Sequence, residues 1–166
     1  TWALRAQAAA PPARRGHAMA YDAARERTVV FGGYGSASYA DTWEWDGQAW
    51  TRRSPAHTPP SLFEAGMAYD ADRGVTVLFG GKGRFGALHP DPETWLWDGN
   101  DWAFRTPVVS PSSRRGHTMA FDASRGVVVL FGGLDQNDLS DTWEWDGVSW
   151  TERGPAVSPP ARHGAS

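Results

Sequence analysis

The chain has 166 residues, enough for one well-packed domain, and its 40% hydrophobic and 21% charged content excludes a disordered or collagen-like polymer. Its 16 basic residues are spread along the sequence against a formal net charge of -3, so there is no basic stripe to track phosphates and nucleic acid is not an expected partner. There is no Cys, which removes disulfides, thiolate metal sites and Cys nucleophiles, and apolar runs such as Val127 to Phe131 are far too short for membrane insertion.

The 10 Trp, 19 Gly and 12 Pro favour short strands with large aromatic anchors over long helices, and the prior is all-β. Arg outnumbers Lys 15 to 1, a codon signature of a G- and C-rich, bacterial type of genome. Absence of Cys fits a secreted chain and a cytosolic one equally, so the compartment stays open.

One unit is written three times. Residues 18–22 (Ala-Met-Ala-Tyr-Asp) return as 66–70 (Gly-Met-Ala-Tyr-Asp) and 118–122 (Thr-Met-Ala-Phe-Asp). Phe-Gly-Gly follows ten residues after each aromatic, at 31–33, 79–81 and 131–133. Residues 41–47 (Asp-Thr-Trp-Glu-Trp-Asp-Gly) are unchanged at 141–147 and become Glu-Thr-Trp-Leu-Trp-Asp-Gly at 93–99, each with a further Trp three residues on, Trp50, Trp150 or Trp102. A period near fifty implies a propeller or another repeat array.

Within each unit, apolar runs bounded by turn residues predict four short strands, a to d. Strand a (His17–Asp22) meets strand b (Thr28–Gly32) at a turn whose Asp22 carboxylate can bond the backbone two residues on. Later copies place Gly74 and Gly126 where positive φ is needed; Glu26 stands there in the first unit, at a cost of about 1 kcal/mol. Strand c carries Trp43 and Trp45 on one face, and Asp46-Gly47 signals the hairpin into strand d with Trp50. A single blade cannot bury both faces, so the indoles are expected between stacked sheets, as ligand platforms only where the array ends.

Arg-Gly-His before strand a, the double Gly closing strand b, the aromatic strand c and the Trp of strand d resemble the kelch repeat over essentially the whole chain. The resemblance implies a β-propeller of four-stranded antiparallel blades, commonly six or seven, with a binding face made by the loops between blades and between strands b and c. It implies no single activity: most such propellers bind proteins, and few belong to enzymes such as galactose oxidase. The expected divisions are residues 1–16 as the end of a preceding repeat, blades at 17–53, 64–105 and 115–153, and 154–166 as the start of a following repeat. The second unit departs from the pattern, with Phe63-Glu64-Ala65 replacing the Arg-Gly-His triplets at 15–17 and 115–117, and with a b–c loop four residues longer, Lys82 to Pro92.

Thr1–Ala18 matches Ser149–Ser166, Trp2 facing Trp150, so the chain opens on a strand d and stops as another strand a begins. Three blades are fewer than the roughly four that close a ring. The expectation is a segment of a longer chain; a homodimer completing a six-bladed ring is the alternative, although Trp2 and Trp150 strands would then compete for one outer position.

No catalytic constellation is found. Galactose-oxidase chemistry needs a Cys cross-linked to Tyr, and no Gly-x-Ser-x-Gly elbow occurs. His17 and His117 are read as hydrogen-bonded residues opening strand a, while His57, His89 and His163 lie in loops without a partner pattern. Asp41, Glu93 and Asp141 share one repeat position and read as loop anchors; Asp135-Gln136-Asn137-Asp138 reads as a solvated turn and not a Ca²⁺ loop. No metal or other cofactor is expected.

What is left is binding through the diverse b–c loops: Tyr34 and Tyr39 in the first, Lys82, Arg84, Phe85 and His89 in the second, Asp135, Asn137 and Asp138 in the third. The reading is a non-enzymatic interaction scaffold with a protein partner. A glycan, held by Tyr34, Tyr39, Phe85 and His89, or a role as the non-catalytic part of a larger galactose-oxidase-like or hydrolytic enzyme, are the alternatives.

Overall fold

The computed structural model describes residues 9–83 and 93–164. Each repeat forms one antiparallel sheet in simple up-and-down order. The first holds β1 (Ala18–Asp22), β2 (Arg27–Phe31), β3 (Thr42–Trp45) and β4 (Trp50–Arg53). The second holds β5 (Gly66–Asp70), β6 (Val75–Phe79), β7 (Thr94–Trp97) and β8 (Trp102–Arg105). In the third are β9 (Thr118–Asp122), β10 (Val127–Leu134), β11 (Asp138–Trp145) and β12 (Trp150–Arg153). Three four-stranded sheets of this kind are kelch-type propeller blades. No helix among the described residues is long and apolar enough to cross a membrane.

Neighbouring blades meet first through their leading strands, β1 against β5 and β5 against β9, which sets these strands at the centre. The core divides into two seams. Ala18, Val29, Phe31 and Leu62 meet Met67, Leu78, Trp97 and Trp102 in one; Ala68, Val77, Phe79 and Leu96 meet Val128, Leu130, Trp143, Trp145 and Trp150 in the other. Indole N–H groups cross each seam to threonine, Trp102 Nε1 to Thr42 Oγ1 and Trp150 Nε1 to Thr94 Oγ1, both 2.9 Å. Trp thus supplies apolar area and a polar stitch together. The indoles do not all fill a seam, however. In the first blade Trp45 and Trp50 are only half-buried and Met19 and Tyr21 are 57% and 56% exposed, because no described sheet covers that face.

The double glycine has a packing reason. Gly32 and Gly33 have φ of 65° and 97°, and a Cβ on Gly32 would stand 2.3 Å from Leu62 O. Gly33 N donates to that same carbonyl at 2.8 Å. The contact repeats as Gly81 N to Arg114 O (2.8 Å) and Gly133 N to Arg162 O (2.9 Å). Each repeat's lead-in is therefore bolted to the end of the preceding β2-type strand, which only glycine leaves room for.

The turns follow the sequence. Asp22 Oδ1 accepts from Ala24 N (3.1 Å) and Arg25 N (3.0 Å), and Glu26 has φ of 53° where Gly74 and Gly126 have 67° and 64°. The third b–c connection differs from expectation: β10 and β11 run on as a ladder to Leu134 and Asp138, with a bulge between Phe131 and Gly133, and only a tip of three residues stays outside the strands.

Candidate binding face

Up-and-down order puts the lead-ins to β1, β5 and β9 and the b–c connections at one end of the blades, with the Asp22-type and Asp46-type turns at the other. At the first end, three bridges tie lead-in to b–c connection within each blade: Arg15 to Tyr34, Phe63 to Lys82 and Arg115 to Leu134. The second blade exchanges the members of the pair. Arg15 lies 5.5 Å over the Tyr34 ring, and Lys82 lies 4.7 Å over the Phe63 ring, so a cation–π contact is kept with its partners on opposite strands. The exchange brings Phe63 against Tyr34 of the first blade, ring centroids 5.5 Å apart, and Lys82 Nζ within 3.4 Å of Glu64 Oε2. Arg115 Nη1 of the third blade donates to the same oxygen at 2.6 Å. Burial by itself would raise the Glu64 carboxyl, but Arg115 and Lys82 hold it below the usual carboxylate range.

Tyr34, 38% exposed, and Lys82 are thus brought together on one surface with Phe63, Glu64, Arg15 and Arg115. Tyr39 is not part of that open surface. Its ring lies under the Arg14 guanidinium at 4.2 Å and its hydroxyl is 3.4 Å from Ser36 Oγ. Arg14 in turn forks onto Asp41 (2.6 and 2.9 Å), which also accepts from Trp43 Nε1 at 2.8 Å; burial pushes the Asp41 carboxyl up, and these donors hold it lower. Arg114, Asp141 and Trp143 repeat the arrangement at 2.6, 2.7 and 2.7 Å. Trp95 Nε1 donates to Glu93 at 2.7 Å. These acids anchor the b–c connections.

In the third connection, Asp135 Oδ1 caps the tip by accepting from Asn137 N at 2.8 Å, and Asp138 is paired with His163 Nδ1. Asn137 and Asp138 are exposed and Asp135 half-exposed. Arg84, Phe85 and His89 lie outside the described residues, as does Trp2.

Of the histidines, His117 needs correction and two others have partners that the sequence does not reveal. His57 and His163, for which the sequence shows no partner pattern, each face a carboxylate: His57 Nδ1 stands 2.7 Å from Asp101 Oδ2, and His163 pairs with Asp138. His117, expected to be hydrogen-bonded, is 6% exposed with neither ring nitrogen in a well-formed hydrogen bond, although the Phe79 backbone bears on it. Burial, then the Arg114 charge, lower it to about 3. It sits in the seam edge-on to Phe79, at 5.7 Å, and close over Gly66.

Loop composition did not single out Arg15, Phe63, Glu64 and Arg115 as members of this face; the signal for Phe63 and Glu64 was their departure from the Arg-Gly-His triplet. Among the described residues no group of three or more His, Asp or Glu is placed to hold a metal ion. A family model, the KLHDC2/KLHL20/DRC7 Kelch-repeats domain, matches residues 1–166. No curated protein matches the chain.

Proposed function

The chain belongs to the kelch-repeat family, whose domains are in general protein-interaction scaffolds, and from that premise we propose that it is a non-enzymatic scaffold holding a protein partner on the face around Tyr34, Phe63 and Lys82. The observation that carries the reading is the tilted contact of the Tyr34 and Phe63 rings across two blades, half-open to solvent and flanked by the cations Arg15 and Lys82. Rigid aromatic groups and arginine are enriched among the residues that dominate protein interfaces, and Tyr34, Phe63 and Arg15 are of these types.

A glycan is the second reading, and it has less support. A sugar needs an uncovered ring face, whereas Arg14 covers Tyr39 and the Tyr34 ring is shared between Arg15 and Phe63. A two-copy six-bladed ring meets an obstacle too. By analogy with the first seam it would set the partner copy's Arg14–Gly16 segment against Gly133 and Gly116, where Arg162 O and Gly164 N are already bonded at 2.9 and 2.8 Å.

The test is co-purification from a native lysate with the wild type and with Tyr34→Ala and Phe63→Ala. Loss of one defined protein by about tenfold with either variant, at unchanged folding, supports the reading. An unchanged set of captured proteins contradicts it.

A further inference from the structure

Each repeat places one residue just ahead of its leading strand, and these residues are linked by backbone hydrogen bonds from blade to blade. Glu64 N donates to Gly16 O (2.6 Å), Gly116 N to Glu64 O (2.8 Å) and Gly164 N to Gly116 O (2.8 Å). All have positive φ, 60°, 60°, 61° and 66° for residues 16, 64, 116 and 164. Glycine holds this conformation freely at three of the positions, and Glu64 is strained there. The fold does not call for a side chain at this place, so the Glu64 carboxylate has a use of another kind.

That carboxylate meets two cations from different blades, Lys82 and Arg115, through the single oxygen Oε2. The neighbouring Arg114 instead forks onto both oxygens of Asp141. A one-oxygen contact is the weaker and the more easily exchanged. The group is also reachable, with side chains of Glu64 34% and Arg115 27% exposed. Apart from Glu64, no carboxylate among the described residues pairs with either cation. The Tyr34 and Phe63 rings stand on the flank, an apolar wall for a residue adjoining an acidic one.

We propose that Lys82 and Arg115 are a carboxylate-recognition pair for an acidic side chain of the protein partner, and that Glu64 fills it in the unbound protein as an internal substitute. The proposal rests on the protein-binding reading of this face and adds the chemistry of the group recognised. The incoming carboxylate takes over the two cations, and the Glu64 side chain swings out to solvent.

Glu64→Gly tests this, because it installs the residue that the other repeats use and relieves the strained φ, so its thermal midpoint should not fall. The probe is a fluorescein-labelled hexaglutamate peptide at low salt, read by anisotropy. The expected result is binding about tenfold tighter than wild type, a smaller gain for Glu64→Gln, and return to wild-type affinity when Lys82→Gln and Arg115→Gln are added. Glu152→Gln, at an exposed position of β12, controls for net charge and should give no gain. Affinity of Glu64→Gly within twofold of wild type, or a gain that survives loss of both cations, overturns the proposal. The co-purification test addresses other residues, Tyr34 and Phe63, so failure of the wider reading is seen separately.

Discussion

Trp97 Nε1 donates to Glu44 Oε1 at 3.0 Å across the first seam. Arg25 Nη1 reaches the same oxygen at 2.8 Å, so one buried carboxylate joins two blades and an Asp22-type turn. In the second seam Leu96 holds the repeat position of Glu44, and Trp145 Nε1 is buried without a partner. Glu44→Ala is expected to lower unfolding stability in urea by about 3 kcal/mol, since it strands two donors. Leu96→Gln, which offers the lone indole an acceptor, is expected to stay within about 1 kcal/mol of wild type, less than a polar group in a core normally costs.

Arg114 is the most buried cation among the ion pairs of the described residues, 1% exposed and forked onto Asp141. Arg114→Met should cost about 3–5 kcal/mol because it leaves Asp141 without its counter-ion. Asp141 is held below its ordinary value of 3.8, burial raising it and Arg114 and Trp143 outweighing that. A depressed folded value means that this contribution is present above pH 3.8 and is lost as pH falls through the folded value. The acid limb of the wild-type stability curve should therefore flatten in Arg114→Met below that pH.

His117 acts over a different range. Its folded value is about 3 against 6.5 in an unfolded chain, so the unfolded state takes up the proton first. Stability is full above pH 6.5 and falls toward pH 3, by about 1.4 kcal/mol per unit in the middle of that window. Arg114 disfavours the imidazolium and Asp141 favours it, the first more than the second. Urea midpoints measured from pH 7 to 5, above the carboxylate range, should drop in wild type and drop less in His117→Leu, where His17, lowered by burial and by Arg14, keeps part of the slope.

The glycines and their one exception give opposite signs. Gly80→Ala would put a methyl 2.6 Å from Arg114 O, at a backbone φ of 65°. It should cost well over the roughly 1 kcal/mol of the strained φ alone. Glu26→Gly places glycine in a left-handed turn, as the later repeats have, and should raise stability by about 1 kcal/mol. Thermal melts of both variants beside wild type check the pair.

The blades were legible because the repeat is written in words that carry their own geometry: Asp22 for the turn, the double glycine for close approach, Asp46-Gly47 for the outer hairpin. Periodicity within a unit says what each strand buries. It does not say what a unit meets across a seam, and so the Trp97–Glu44 bond, the burial of His117 without a well-formed hydrogen bond and the His57–Asp101 pair were out of reach. The third b–c connection was misjudged for a related reason, since ladder bonds of the backbone carried β10 and β11 to its tip through residues that read as a polar turn.

The binding face was half legible. Loop diversity pointed to Tyr34 and Lys82, and the odd triplet marked the second blade, but the exchange of Phe63 and Lys82 across the bridge is seen only when both strands are in place. Tyr39 misled because an aromatic residue in a variable loop looks the same in sequence whether it is open or, as here, beneath an arginine.

The most direct measurement of the central claim is site-specific photo-crosslinking in the native host, with p-benzoylphenylalanine replacing Tyr34 in one sample and Gln48, in the turn at the opposite end of the first blade, in another. Binding through the Tyr34 face predicts one discrete adduct of a single protein from position 34, competed away by unlabelled chain and absent from position 48. The same faint spread of adducts from both positions would contradict it.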